Sequence, residues 1–124
     1  MRDYAKIDAW KLADDLAVAI YECTRSFPKE KLYGLTSQLR RAAYSVPANG
    51  AEGSSRESQR DYLRFLYSAR GSLSEVQYFI HLAQRLGYLN LADAQRLAAQ
   101  TKTVFACLHG LIRAVERESA ASSP

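Results

Sequence analysis

Little in this sequence suits catalysis, metal binding or cross-linking. Only two cysteines occur, Cys23 and Cys107, each among apolar neighbours and without a CxxC partner. That excludes a disulfide scaffold or thiolate zinc site and leaves small core residues of a reducing compartment. His81 and His109 lie far apart, and neither has a carboxylate or cysteine at metal-ligand spacing. His109 adjoins the apolar position Leu108 and reads as a hydrogen-bonded helix histidine. The stretches "GLTSQ" and "GAEGSS" lack the lysine and strand of a phosphate loop. No serine sits in an elbow motif, and Arg70 and His81 are too distant for the basic pair of a helical nuclease. The expectation is a protein that is not an enzyme, with no metal and no cofactor. No run of ~18 apolar residues exists to span a bilayer, and "MRDYAKIDAW" carries no apolar signal segment. A cytoplasmic location without a membrane partner is therefore expected.

Strand chemistry is missing too. No segment combines apolar–polar alternation with hairpin residues, whereas helical spacing recurs throughout. Trp10, Ala13, Ala17, Ile20, Thr24 and Phe27 form the first seam, which Pro28 stops. Leu32, Leu35, Leu39, Ala42, Val46, Asn49 and Gly53 form the second. This rhythm passes through Pro47, which predicts one helix kinked there rather than two helices. Ser58 opens the third helix with Asp61 as an approximate capping box; Tyr62, Phe65, Leu66, Ala69, Leu73, Val76, Ile80, Ala83 and Leu86 follow, and Gly87 supplies a left-handed end. Asn90 caps the fourth, whose seam is Ala94, Leu97, Thr101, Val104, Leu108, Leu111 and Val115, widened by Phe105 and Ile112. Short connections between long helices predict an all-α, antiparallel up-down four-helix bundle. A chain of 124 residues fits one domain, taken as residues 1–117 with a disordered tail at 118–124.

Charge is unevenly placed. The first 31 residues hold six basic and six acidic side chains, but residues 32–70 hold six arginines against Glu52, Glu57 and Asp61. No lysine occurs between Leu32 and Thr101, and arginine's planar fork suits phosphate and carboxylate alike. Arg56, Arg60 and Arg64 are spaced to stack on one face of the third helix, near an N-terminus whose dipole disfavours them. Two readings stand. Either Glu57–Arg60 and Asp61–Arg64 make an ordinary solvated face, or a ligand anion compensates. Arg40 and Arg41 lie mid-helix, and a covered arginine calls for a carboxylate. Glu75 on the third helix, and Glu52 across a subunit contact, are the structural ion-pair partners expected. Six tyrosines, among them Tyr33, Tyr44 and Tyr78, crowd any single core, so some either form a second contact face or pack locally half-buried.

The stretches "IYECTRSFPKEKLYGLTSQLRRAAYSVPANGAEGSSR", "FLYSARGSLSEV" and "LAQRLGYL" resemble the four-helix bundle family of 23S rRNA intervening-sequence proteins, which includes accessory variability determinants of diversity-generating retroelements. The resemblance runs from about Ala9 to about Val115. Its motif matches at Tyr33, Gly34, Leu35, Gln38, Arg40, Arg41, Ala42, Ser45, Pro47, Asn49, Ala51, Glu52 and Gly53, and again at Arg70, Gly71, Ser72 and Glu75. It implies a cytoplasmic bacterial bundle assembling as a homopentamer, with retroelement members binding nucleic acid and a reverse transcriptase. Gly50 stands where members usually carry a bulky aliphatic residue. That change costs about 1 kcal/mol of helix propensity plus packing, which bears on the end of helix two and on any subunit contact made there.

Together these readings predict an oligomeric module that binds RNA or a DNA–RNA hybrid. Arg56, Arg60 and Arg64 would form one rim, with Arg40, Arg41 and Arg70 as secondary contacts. The alternative is a scaffold whose main partner is another protein, such as a reverse transcriptase.

Overall fold

The apolar seams close into four helices. The computed structural model describes residues 2–121, with α1 at Asp8–Thr24, α2 at Ser37–Ser54, α3 at Gln59–Arg85 and α4 at Leu91–Ala121. Among the described residues no strand forms. Contacts between named ends give the directions. Trp10 Nε1 at the start of α1 donates to the Pro47 carbonyl at 3.0 Å, while Arg40, early in α2, reaches Thr24 at the end of α1. Gly53 late in α2 meets Tyr62 and Phe65 early in α3. Tyr67 early in α3 meets Glu116 late in α4, and Cys23 late in α1 meets Arg96 early in α4. Successive helices are therefore antiparallel, and α4 returns beside α1 to close the bundle.

The core follows the spacing along most of each seam, but it adds Leu16, which the first seam did not include, and leaves out Leu86, which is exposed just past the end of α3. Leu16, Ile20, Leu39, Leu66, Leu73, Val76 and Leu97 are almost wholly removed from water, the main stabilising term in such a fold. On α4 the buried residue is Ile112, with Leu111 half-buried. A strict alternation of three and four residues drifts around a 3.6-residue helix, so the core position moves on by one.

Both expected N-caps form. Ser58 Oγ accepts from Asp61 N–H at 3.0 Å, and Asn90 Oδ1 from Asp93 N–H at 2.8 Å. Gly87 has φ +82°, and the Tyr88 and Gly87 N–H groups donate to Ala83 and Gln84 carbonyls at 2.9 and 3.0 Å. This left-handed cap sends the chain back toward the core, where Tyr88 and Phe27 rings lie 5.8 Å apart.

Two expectations are corrected, and the effect of Gly50 is decided. The regular α-helix of the second segment starts at Ser37, not Leu32, because Leu32–Thr36 form a π-helical turn in which Gly34 leaves helical geometry with φ −117° and ψ −109°. Leu32 therefore falls outside the seam and is exposed. At Gly50 the helix holds: α2 runs unbroken through Pro47 and Gly50 to Ser54. A Cβ at Gly50 would stand 3.4 Å from Trp10 Cδ1, so the indole covers the place of the missing side chain. Finally, residues 118–121 of the expected disordered tail are helical, as α4 continues to Ala121. Gln59 Nε2 donates to Glu118 Oε2 there and ties this last turn to α3. Residues 122–124 of that tail lie outside the described residues.

Candidate nucleic-acid interface

The turn from α2 to α3 gathers guanidinium groups by a route different from helical stacking. Because α3 starts at Gln59, Arg56 lies before the helix and shares no helical face with Arg60 and Arg64. Arg56 Nη2 instead donates to Glu52 Oε1 at 2.6 Å, and its guanidinium sits 4.8 Å from the centre of the Phe65 ring. Arg64 approaches the same ring at 5.6 Å and pairs with Asp61 at 3.8 Å. One aromatic ring thus holds two cations, and the negative face of its π-system lowers their repulsion. The expected Glu57–Arg60 pair does not form, since Glu57 sits in the turn where helical spacing does not apply. Arg60 faces solvent.

Arg2 belongs to this region, though nothing in its balanced local charge singled it out. Its Nη1 donates to the Arg56 carbonyl at 2.6 Å, its Nη2 donates to Gln59 Oε1, and its guanidinium lies 4.2 Å from the Tyr62 ring centre. The N-terminal segment is thereby latched across the α2–α3 turn. Burial raises the Tyr62 pKa above its ordinary value; Arg2 opposes that shift and Glu118 adds to it. Under the turn, a Cβ on Gly53 would lie 2.7 Å from Phe65 Cβ. Only glycine lets α2 and α3 approach this closely.

On the face formed by α1 and α2 the arrangement differs. Arg40 Nε donates to Thr24 Oγ1 at 2.8 Å, Nη2 donates to the Tyr21 carbonyl at 3.4 Å, and the guanidinium lies 4.6 Å from the Tyr21 ring centre. Arg40 is therefore structural, but not through the expected carboxylate. A hydroxyl, a carbonyl and an aromatic face satisfy it. Arg41 and Glu75 do line one groove between α2 and α3, level as antiparallel helices require, yet no ion pair joins them. Glu52 is engaged within its own chain by Arg56. Beside Arg40 and Arg41 lie Tyr21, Leu32, Tyr33, Ser37 and Tyr44, a groove with no acidic lining. Tyr33 is 93% exposed and Tyr44 48%. Tyrosine placement is thus divided: Tyr62 is buried, whereas Tyr33, Tyr44, Tyr67 and Tyr78 lie outward.

The remaining candidates are simpler. Arg70 is exposed, 5.0 Å from the Tyr67 ring centre. Tyr67 Oη donates to Glu116 Oε2 at 2.8 Å, and this bond to a carboxylate raises the tyrosine pKa. His109 is exposed on α4 and is not the hydrogen-bonded histidine expected. Cys23 and Cys107 are free and half-buried, and Arg96 Nη2 donates to Cys23 Sγ at 3.2 Å. Among the described residues no group of three His, Cys, Asp or Glu gathers to hold a metal ion, and no helix is long and apolar enough to cross a membrane.

A solved structure from Bacteroides thetaiotaomicron VPI-5482, described as a protein with unknown function from the S23 ribosomal protein family, has the same fold. Its TM-score is 0.78 at 20% identity, over 84% of this chain and 97% of that one. No functionally curated protein matches this chain significantly. Residues 5–110, which take in α1, α2, α3 and the first part of α4, with every arginine of both regions except Arg2, match the family described as 23S rRNA-intervening sequence protein. The helical bundle and the Tyr33–Gly53 motif at its centre are thus those of a family member, and the chain belongs to the 23S rRNA-intervening sequence proteins.

Proposed function

We propose that this chain is a non-enzymatic, homo-oligomeric module of the cytoplasm that binds nucleic acid through arginine-bearing surfaces. One observation carries the reading. Of the six arginines between residues 32 and 70, only Arg56 and Arg64 pair with carboxylates, leaving Arg40, Arg41, Arg60 and Arg70 without one. Exposed guanidiniums with no internal counter-ion attract phosphate and release its condensed cations on binding. A ring of copies multiplies that modest surface field, and the pentamer implied by the family resemblance serves this purpose.

The test is a salt titration with labelled RNA. Each phosphate neutralised adds about 0.7 to the slope of log affinity against log salt. A folded variant carrying Arg41→Ser, Arg60→Ser and Arg70→Ser is expected to lose about two units of slope. Unchanged binding by that variant would overturn the proposal. Light scattering on the eluting peak tests assembly, and a monomer at micromolar concentration removes the oligomeric part.

A second reading, a scaffold for a protein partner such as a reverse transcriptase, draws on exposed Tyr33, Tyr78, Leu86 and Leu91. It predicts association that survives moderate salt and depends on those side chains.

A further inference from the structure

We infer that the α1–α2 face takes single-stranded nucleic acid, with bases stacking on Tyr33 and Tyr44 and phosphates meeting Arg40 and Arg41. This rests on the nucleic-acid reading above and narrows it to strands with unpaired bases at one stated place.

The first support is the state of the aromatic rings. Tyr33 contributes almost nothing to the core, being 93% exposed, and Tyr44 is half outside. Tyr44 sits three residues beyond Arg41 on α2, so ring and cation are neighbours on one helical edge. A tyrosine carried on a helical frame has only two side-chain torsions to immobilise, so stacking loses little entropy.

The second is that one cation is already positioned. Arg40 is bonded to Thr24 and lies against Tyr21, and Thr24 Oγ1 itself donates to the Ile20 carbonyl at 2.8 Å. That chain of contacts fixes the guanidinium before any ligand arrives, while leaving its Nη1 uncommitted. Arg41 is exposed and has no carboxylate partner.

Charge supplies the third. No residue lining this groove is acidic, whereas Glu57 and Glu118 line the groove beside Arg56, and Asp61 lies between Arg60 and Arg64. A polyanion therefore approaches the tyrosine-lined groove without like-charge repulsion from its walls. Duplexes hide their base faces in the stack, so exposed tyrosine rings favour unpaired strands.

The experiment uses the full chain and three labelled probes of equal length: an oligoadenylate strand, its abasic counterpart, and the duplex of the same sequence. Wild-type protein is expected to bind the strand about tenfold tighter than the other two. Tyr33→Ser with Tyr44→Ser removes that preference and leaves abasic binding unchanged, while Tyr33→Phe with Tyr44→Phe keeps it. Arg41→Ser weakens all three probes together. Equal affinity for strand and abasic probe overturns the inference but leaves the proposed function standing. A preference that persists in the serine variant, or an equal loss on every probe, does the same. Binding of none of the three overturns both. If the serine variant changes the mass seen by light scattering while the strand preference holds, the face is a contact between copies and the inference fails. Circular dichroism of each variant confirms the fold; both rings are outside the core.

Discussion

Two arginine-bearing regions lie on this bundle, and they handle the same side chain in opposite ways. At the α2–α3 turn, Arg56 and Arg64 share the Phe65 ring and each meets a carboxylate, while Arg2 straps the N-terminal segment over Tyr62. Guanidinium there closes the fold. On the α1–α2 face, Arg40 is oriented by neutral groups and Arg41 meets no acid, beside tyrosines the core does not use. Guanidinium there remains available. The difference teaches that spacing along the chain proposes a charged surface, but the groups within bonding distance decide whether any charge is left to act.

The predictions press on that contrast, from the largest effect downward. Gly53→Ala strikes the tight packing beneath the turn, where the added methyl would lie 2.7 Å from Phe65 Cβ. A loss of about 1–3 kcal/mol in urea unfolding is expected. Gly50→Ala, three residues earlier, meets only the Trp10 edge at 3.4 Å; a gain of up to about 1 kcal/mol is expected there. Equal effects at both glycines would break the claim that the turn is the more closely packed place.

Next, Arg56→Ser is expected to cost about 1 kcal/mol through its lost ion pair and ring contact, with RNA affinity nearly unchanged. Arg41→Ser should do the reverse: unfolding is unaltered and the salt slope falls by about 0.7. Exchanged outcomes would invert the two regions. The smallest effect is alkaline. Burial raises the Tyr62 pKa above 10.0, so the unfolded chain releases that proton first. Its contribution is complete below pH 10 and is lost as pH climbs through the folded value. Tyr62→Phe should make the loss of stability above pH 10 shallower, measured by urea midpoints across that range.

Much of the architecture was readable along the chain because it depends on local order. Ser58, Asn90 and Gly87 end their helices through bonds to residues within a few positions. The buried seams repeat at a period that any amphipathic helix must show. Where local order misled, a long-range contact or one backbone angle was responsible. Gly34 broke the helical geometry, so regular α-helix could not begin at Leu32. Gln59 kept the α4 end helical beyond the expected boundary.

The candidate site was legible only as an inventory. Arg40, Arg41, Arg56, Arg60, Arg64 and Arg70 could all be named, but Arg2 could not, because its partners lie more than fifty residues away. Helix count, the capped helix ends and most of the core were determined by the sequence itself, since hydrogen bonds and apolar periodicity act over a few residues. Which arginines are neutralised, which tyrosines face water and which glycines admit a neighbouring helix were decided by the tertiary structure. Those outcomes depend on distances between chain segments, and electrostatic and packing energies change over fractions of an ångström to a few ångströms.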